Sequence, residues 1–300
     1  MAQTLDGKSL ATQIETSLRT EIADLTNAGK PPPSLAVIQV GDLYASKVYV
    51  RRKHQACQRV GINSQDICLP TTTSEQQLLA KISELNTDTS VDAILMQLPL
   101  PQHINTATVL GAIAMSKDVD GLSPQNQGLL LSGKQGSAKV LPYPSEALLK
   151  PKLLIPCTPL GIMQLLNHYR CRLRGKVAMV VGRSALVGLP ISQLLLQADA
   201  TLIHTHSHSV EPKLLAKTAD VLVVAVGVPH LVRQDWLKPD AVVIDVGINR
   251  QQGKLVGDVH PDVAEVASYI TPVPGGVGPM TIAALLQNTV LAAQARHRVG

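Results

Sequence analysis

Short apolar runs rich in Val and Ile punctuate the chain at Ser34 to Val40, Ala93 to Leu98, Lys176 to Val181, Thr201 to His204, Val221 to Val226 and Ala241 to Val246. Runs of this length bounded by turn residues predict strands covered on both faces, and helical patterns between them predict parallel sheets. Helices are expected over Ser46 to Val60 and Ser74 to Leu85, then from Ile191 to Gln197, with a last one from Thr281 to about His297. A first amphipathic helix falls within Met1 to Leu18, where Asp6 and Glu15 interrupt any apolar core that a targeting peptide needs. The predicted fold class is therefore α/β with two domains and a doubly wound parallel sheet. Leu129 to Leu154 mixes Gly, Ser, Lys and Pro without periodicity and reads as a surface loop between the domains, the second α/β unit starting after Pro156.

Placing Ser46 to Val60 on a helix at about 100° per residue gathers Ser46, Tyr49, Lys53, Ala56, Cys57 and Val60 on one stripe. Arg51, His54, Gln55, Gln58 and Arg59 point elsewhere. Lys53 thus sits in the buried face, one turn from Tyr49. Such a lysine either extends its amine to water along its stem or is held in a site that uses the amine. The run Ala93-Ile94-Leu95-Met96-Gln97-Leu98 carries a single amide, Gln97, which needs partners: loop backbone, a ligand, or Lys53. The turn Lys117-Asp118-Val119-Asp120-Gly121 offers two acids two residues apart, suited to Asx-turns or to a ligand. No glutamate follows at the spacing of a calcium loop.

In the second half, the strand pattern Lys176 to Val181 runs straight into Gly182-Arg183-Ser184-Ala185-Leu186-Val187-Gly188 and a helix. Strand, glycine turn and helix start aim backbone N–H groups at a place where a pyrophosphate fits, although the strict Gly-x-Gly-x-x-Gly spacing is not kept. The next strand ends in His204-Thr205-His206-Ser207-His208-Ser209, about twenty residues past Gly182, where NAD enzymes commonly place a carboxylate for the ribose 2′-hydroxyl. With no acid there, Arg183, hydroxyls and imidazoles suit a 2′-phosphate, which selects NADP. His204, His206 and His208 alternate on one strand face as metal ligands would, but no Cys or carboxylate completes the set, and no metal is expected. The segment Pro272 to Thr281, with three glycines, admits close approach of backbone to a ligand or forms a hinge.

Composition narrows the picture further. The four cysteines form no Cys-x-x-Cys pair, so reduced thiols rather than zinc or disulfides are expected. A net charge of +5 raises the question of nucleic acid, but the basic residues are scattered and one Trp and five Tyr leave little for stacking. An anionic small molecule accounts for the sign equally well. No charge-free apolar stretch reaches transmembrane length, so neither nucleic acid nor membrane is an expected partner. Phenylalanine is absent, leaving Leu, Val and Ile to fill the core.

Six segments, in order and spacing, carry a resemblance that spans nearly the whole chain: Tyr49 to Lys53, Gln97 to Pro101, Lys117 to Gly121, Gly182-Arg183-Ser184 with Val187-Gly188, Asp245 to Asn249, and Pro272 to Thr281. Together they resemble the bifunctional methylenetetrahydrofolate dehydrogenase/cyclohydrolase (FolD) family. The resemblance implies an N-terminal folate domain (1–128 plus 279–300), a connecting insertion (129–154) and a Rossmann-like NADP domain (155–278). It implies oxidation of 5,10-methylenetetrahydrofolate with NADP and hydrolysis of the methenyl product to 10-formyltetrahydrofolate, within one-carbon folate metabolism and its branches to purine, histidine and methionine biosynthesis. A cytoplasmic homodimer acting on tetrahydrofolate derivatives is expected. Carried over, Lys53 is the catalytic lysine, Gln97 its hydrogen-bond partner, Tyr49 the residue shaping the folate site, and Asp120 the group that grips the pterin. Met96, Leu98, Pro274, Gly275, Gly276, Val277 and Gly278 complete the substrate set, and Gly182, Arg183, Ser184, Ser207 and Ile248 the cofactor set. Three positions depart from the family pattern: Tyr44 stands where a proline is common, Leu122 and Ser123 replace a Phe-His pair, and the connector is long.

Overall fold

The structure is a computed structural model that describes residues 1–42, 44–133 and 153–297, with backbone alone for 44–49 and 297. Most of the expected connecting loop, and the side chains of Tyr44, Ser46 and Tyr49, lie outside the described residues. The chain divides into two compact units.

The first unit comprises Met1–Ala11 and Thr158–Thr281. Its strands are β1 (Gln3–Thr4), β5 (Val177–Val181), β6 (Thr201–Thr205), β7 (Val221–Val224), β8 (Val242–Asp245) and β11 (Tyr269–Ile270), with a two-stranded ribbon β9 (Asn249–Gln251) and β10 (Lys254–Val256). Among the described residues the main sheet runs β1-β11-β8-β7-β5-β6, every pair parallel. The helices α7 (Gly188–Gln197) and α8 (Pro212–Ala216) form crossovers. Met179, Val181, Leu222, Val224 and Val243 pack with Val232, Val259 and Val263 in one core. From β5 the chain passes to β6 on one side and then to β7 on the other, so strand order reverses at β5. Crevices beyond the carboxyl ends of strands at such a reversal are where open α/β sheets hold ligands.

The second unit comprises Thr12–Ser132 with Cys157 and the stretch from Ile282. Its strands are β2 (Ser34–Val40), β3 (Asn63–Leu69) and β4 (Ala93–Met96), all parallel in the order β3-β2-β4, so order again reverses at the first strand. The main helices are α1 (Gly7–Asn27), α2 (Tyr44–Val60) and α3 (Glu75–Thr87), followed by the shorter α4 (Thr106–Ala112) and α5 (Pro124–Ser132). Helix α3 starts on a capping box in which Ser74 and Gln77 satisfy one another's backbone. It buries Leu78, Ile82 and Leu85 against Ala36, Ile38, Ile94 and Met96. Helix α1, helix α6 (Cys157–His168) and the last helix α9 (Val277–His297) have residues in both units. From Ala283 to Ala293 every residue of α9 is buried, as expected of a helix apolar nearly all round. Among the described residues no helix is long and apolar enough to cross a membrane.

Three differences from the sequence-based expectation have physical causes. Leu129 belongs to α5 rather than to a loop, and Leu130 and Leu154 are buried, so both ends of the expected loop are anchored in packing. Gln3 and Thr4 pair with Tyr269 and Ile270, which places the first residues with the six-stranded sheet. Strand β3 alternates between exposed and half-buried positions at a sheet edge, so its sequence lacks the apolar run that marks the central strands.

Candidate active site

Gln97 is the first residue beyond β4, at the reversal of strand order in the second unit. Its backbone N–H donates to Ile38 O at 2.8 Å, continuing the ladder for one more bond. Its side-chain amide donates to Leu98 O at 2.7 Å, which turns Oε1 outward to accept from Lys53 Nζ at 3.1 Å. On α2, Val50, Ala56, Cys57 and Val60 are buried while Arg51, Gln55, Gln58 and Arg59 are exposed, and half-buried Lys53 lies at the margin of the apolar stripe. The amine is therefore engaged by an amide, with its stem along the buried face. Met96 points into the hydrophobic core, and Leu98 packs against the same cluster.

The two acids of the 117–121 turn have different tasks. Ile94 N–H donates to Lys117 O at 2.7 Å, laying this turn alongside β4. Asp118 is buried and accepts from Leu122 N, Ser123 N and Asn126 Nδ2, so its carboxylate holds the following turn together. Leu122 and Ser123, where the sequence departs from the family pattern, are buried parts of that turn. Asp120 is left half-buried beside Lys53 and the Cys157 thiol. Burial raises the pKa of its carboxyl, against the opposing effect of the Lys53 charge. Cys157 and Asn288 were not singled out by sequence reasoning. The Cys157 thiol donates to Val119 O at 3.2 Å, and Asn288 Nδ2 donates to Val119 O at 2.8 Å and to Ile155 O at 2.9 Å. They fix the backbone next to Asp120, a task no local motif announces.

In the first unit the glycine turn occupies the reversal at β5. Gly182 has φ +114°, and a Cβ there would lie 2.2 Å from Ala225 O. A Cβ on Gly188 would lie 2.0 Å from Gly182 O. Both positions require glycine because backbone meets backbone. Between them Arg183, Ser184, Ala185 and Leu186 are exposed. Ser184 Oγ accepts from Val187 N at 3.2 Å and Gly188 N at 3.3 Å, so it closes the turn itself and retains its own proton to donate outward. An exposed guanidinium, a hydroxyl donor and a tight glycine turn opening a helix form a donor set that fits an anionic dinucleotide. Ser207 and Ile248 are likewise exposed, and Ile248 Cδ1 comes within 4.0 Å of the Cβ position of Gly278. Pro274 to Gly278 also belong to this unit. Lys8 N–H donates to Gly275 O at 2.9 Å, and a Cβ on Gly7 would lie 1.9 Å from Gly276 O, so this glycine segment is pinned by the chain start.

Behind Ile248 two carboxylates are buried together. Asp245 accepts from Gly247 N, Asp258 N and Val259 N. Asp258 accepts from Val226 N, Gly227 N and Asn249 Nδ2. These six bonds tie the ends of β7 and β8 to the ribbon, and burial pushes the Asp245 carboxyl up to about 6.

A nucleotide-type parallel sheet and, in the same chain, a second parallel sheet bearing a lysine–amide pair beside a carboxyl define a two-part pyridine-nucleotide enzyme. Comparison with known proteins gives the family. Residues 5–120 match the tetrahydrofolate dehydrogenase/cyclohydrolase catalytic domain, and residues 156–297 match the NAD(P)-binding domain of the same name. The chain belongs to the tetrahydrofolate dehydrogenase/cyclohydrolase family. It is 48% identical over 296 residues to the bifunctional protein FolD of Thermus thermophilus, covering 99% of this chain and 98% of that protein. The crystal structure of the Campylobacter jejuni bifunctional FolD enzyme superposes with TM-score 0.92 at 44% identity, covering 99% of this chain and 100% of the other. That of the Trypanosoma brucei FolD enzyme, complexed with NADP and inhibitor, gives 0.90 at 35% identity, with 99% of each chain covered.

Proposed function

We infer that this chain oxidises 5,10-methylenetetrahydrofolate to 5,10-methenyltetrahydrofolate with NADP and hydrolyses the product to 10-formyltetrahydrofolate. The observation that carries the reading is the Lys53–Gln97 hydrogen bond beside Asp120, in a chain whose two halves match the two domains of one family. NADP, when bound, supplies the hydride acceptor. Arg183, Ser184, Ser207 and Ile248 hold it around the Gly182 turn.

Each residue has a distinct part in the chemistry. Water adds to the methenyl carbon, the amine of Lys53 takes or relays the proton that the water loses, and the ring opens as the bond from that carbon to N5 breaks and N5 receives a proton, leaving the formyl group on N10. Gln97 keeps the amine in line because its own amide is committed to Leu98 O. Asp120 accepts hydrogen bonds from the N–H groups of the pterin's amidine edge. The family pattern assigns Tyr49, Met96, Leu98 and Pro274 to Gly278 to folate binding. The catalytic half is assigned to 1–128 with 279–300, except for the first residues, which pair in the six-stranded sheet, and the cofactor half to 155–278, with a homodimer in the cytoplasm as the working form. Sedimentation of the purified chain tests the dimer.

Absorbance on mixing the chain with methylenetetrahydrofolate and either NADP or NAD tests the activity. NADP should be reduced in step with substrate, and isolated methenyltetrahydrofolate should be hydrolysed faster than in buffer. Folded protein that does neither sinks the reading.

A further inference from the structure

His204 lies on β6 opposite Val180, directly beneath the glycine turn. Its Nε2 is 2.9 Å from Gly182 O, and its Nδ1 is 3.2 Å from Ser192 Oγ. Ser192 sits on α7, buried, and its hydroxyl lies 2.7 Å from Gly188 O. Hydrogen-bond roles here follow from which atoms carry protons. A carbonyl only accepts, so Nε2 must donate to Gly182 O. Ser192 has one hydroxyl proton and two neighbours that can accept it, Gly188 O and an unprotonated Nδ1. With a neutral imidazole one of those two contacts goes unmade. With an imidazolium all three are made: Nε2–H to Gly182 O, Nδ1–H to Ser192 Oγ, and Ser192 O–H to Gly188 O.

The ends of this chain of bonds are the two glycines that meet at the mouth of the turn, where Gly188 lies against Gly182 O. His206, just beyond β6, is in electrostatic contact with His204, with Arg183 on the turn and with His208. All four are cations or become cations on protonation. An anionic phosphate held at this turn favours positive charge on the groups beneath it.

We propose that His204 is a positioning residue for the cofactor, which takes up a proton as NADP binds and, as an imidazolium, clamps Gly182 and Gly188 of the phosphate turn from below. The proposal rests on the reading that this turn holds the dinucleotide. Charge and clamp act together: a doubly donating His204 rigidifies the turn and adds a cation beneath the ligand, so binding is tighter at lower pH.

Calorimetric titration of NADP in two buffers of different ionisation enthalpy, between pH 6 and 8, counts the protons taken up. The cofactor's own 2′-phosphate titrates in this range, so the comparison is between proteins with the same ligand. In His204→Gln the amide can donate to Gly182 O and accept from Ser192 but cannot become charged. The wild type should take up more protons than this variant near pH 7 and lose several-fold more affinity from pH 6 to pH 8. His206→Gln and His208→Gln should keep the larger proton count of the wild type. Equal proton counts in wild type and His204→Gln overturn the proposal, as does loss of the extra uptake in His206→Gln alone. A wild type that binds NADP no better than a Gly188→Ala variant of intact fold overturns the turn reading itself, and the proposal with it. Should His204→Gln not fold, long-range proton–nitrogen spectra of the wild-type complex decide: both ring nitrogens must carry protons, and a neutral Nε2–H ring overturns the proposal.

Discussion

The two sheets share one plan and implement their sites in opposite materials. From β5 in one and β2 in the other the chain goes first to one side and then to the other, leaving a crevice where the order reverses. At β5 the reversal is built of backbone: Gly182 and Gly188 stand where any Cβ would collide, and Ser184 closes the turn on its own amides. At β2 and β4 it is built of side chains: Lys53 from a helix, Gln97 from a strand end and Asp120 from a turn. A backbone site fails by losing its shape, whereas a side-chain site can lose its chemistry while the fold survives. Substitutions on the two sides should therefore separate rate from binding.

The largest effect is expected on the side-chain site. Lys53→Met keeps most of the apolar stem, so α2 should remain packed over Ala56, Cys57 and Val60 while the amine that bonds Gln97 disappears. Loss of general acid–base help typically slows a reaction about 10²- to 10⁴-fold, or about 3 to 5 kcal/mol. Cyclohydrolase activity should fall by that order, and dehydrogenase activity less, since hydride transfer asks no proton of the chain. The two rates are measured separately on folded variant, one from methylene and one from isolated methenyl substrate. Cyclohydrolase activity close to wild type would reduce Lys53 to a core lysine with its amine parked on an amide.

A smaller effect belongs to the backbone site, where Arg183 is the exposed guanidinium beside the turn. Arg183→Ala should weaken NADP binding by about 1.5 to 3 kcal/mol, the range of a hydrogen bond to a charged group, and leave NAD nearly unchanged. Titrations of both cofactors check this. Equal losses would mean that Arg183 shapes the turn and does not read the 2′-phosphate.

The contrast in materials also explains what could be read from the chain. The glycine turn is contiguous, and its strand and helix flanks have strong periodicity, so position and element type were visible together. Lys53 and Gln97 were visible as misfits, a cation in an apolar stripe and an amide in an apolar strand, and the bond between them is seen only in the fold. The different tasks of Asp118 and Asp120 were not legible, because they depend on how Ser123 and Asn126 of the following turn fold back on Asp118 and on Cys157 arriving from a distant segment beside Asp120. Strand β3 and the short strands β1 and β11 lack apolar runs because they lie at a sheet edge or contribute only two residues each. Helix α9 begins at Val277, inside the glycine and proline segment, where four residues that read as loop are already helical.

The smallest effect concerns the support behind the backbone site, and its sign is fixed by linkage. Burial raises Asp245 from its ordinary 3.8 to about 6, although three backbone N–H groups from Gly247, Asp258 and Val259 favour the carboxylate. A group whose folded pKa lies above its unfolded one binds more protons when folded. Its contribution to stability is therefore fully present below about 3.8 and is lost as pH rises through about 6. Between pH 5 and pH 7 this amounts to about 1 kcal/mol of lost stability from Asp245 alone. Asp245→Asn cannot titrate. It keeps one oxygen for Gly247 and Asp258, and it sets an amide nitrogen against the Val259 N–H, so the variant should be less stable at every pH. The informative quantity is the slope. Urea midpoints at pH 5 and pH 7 should diverge less in Asp245→Asn than in wild type, by about 1 kcal/mol. Identical slopes would mean that the N–H donors around Asp245 keep it charged throughout.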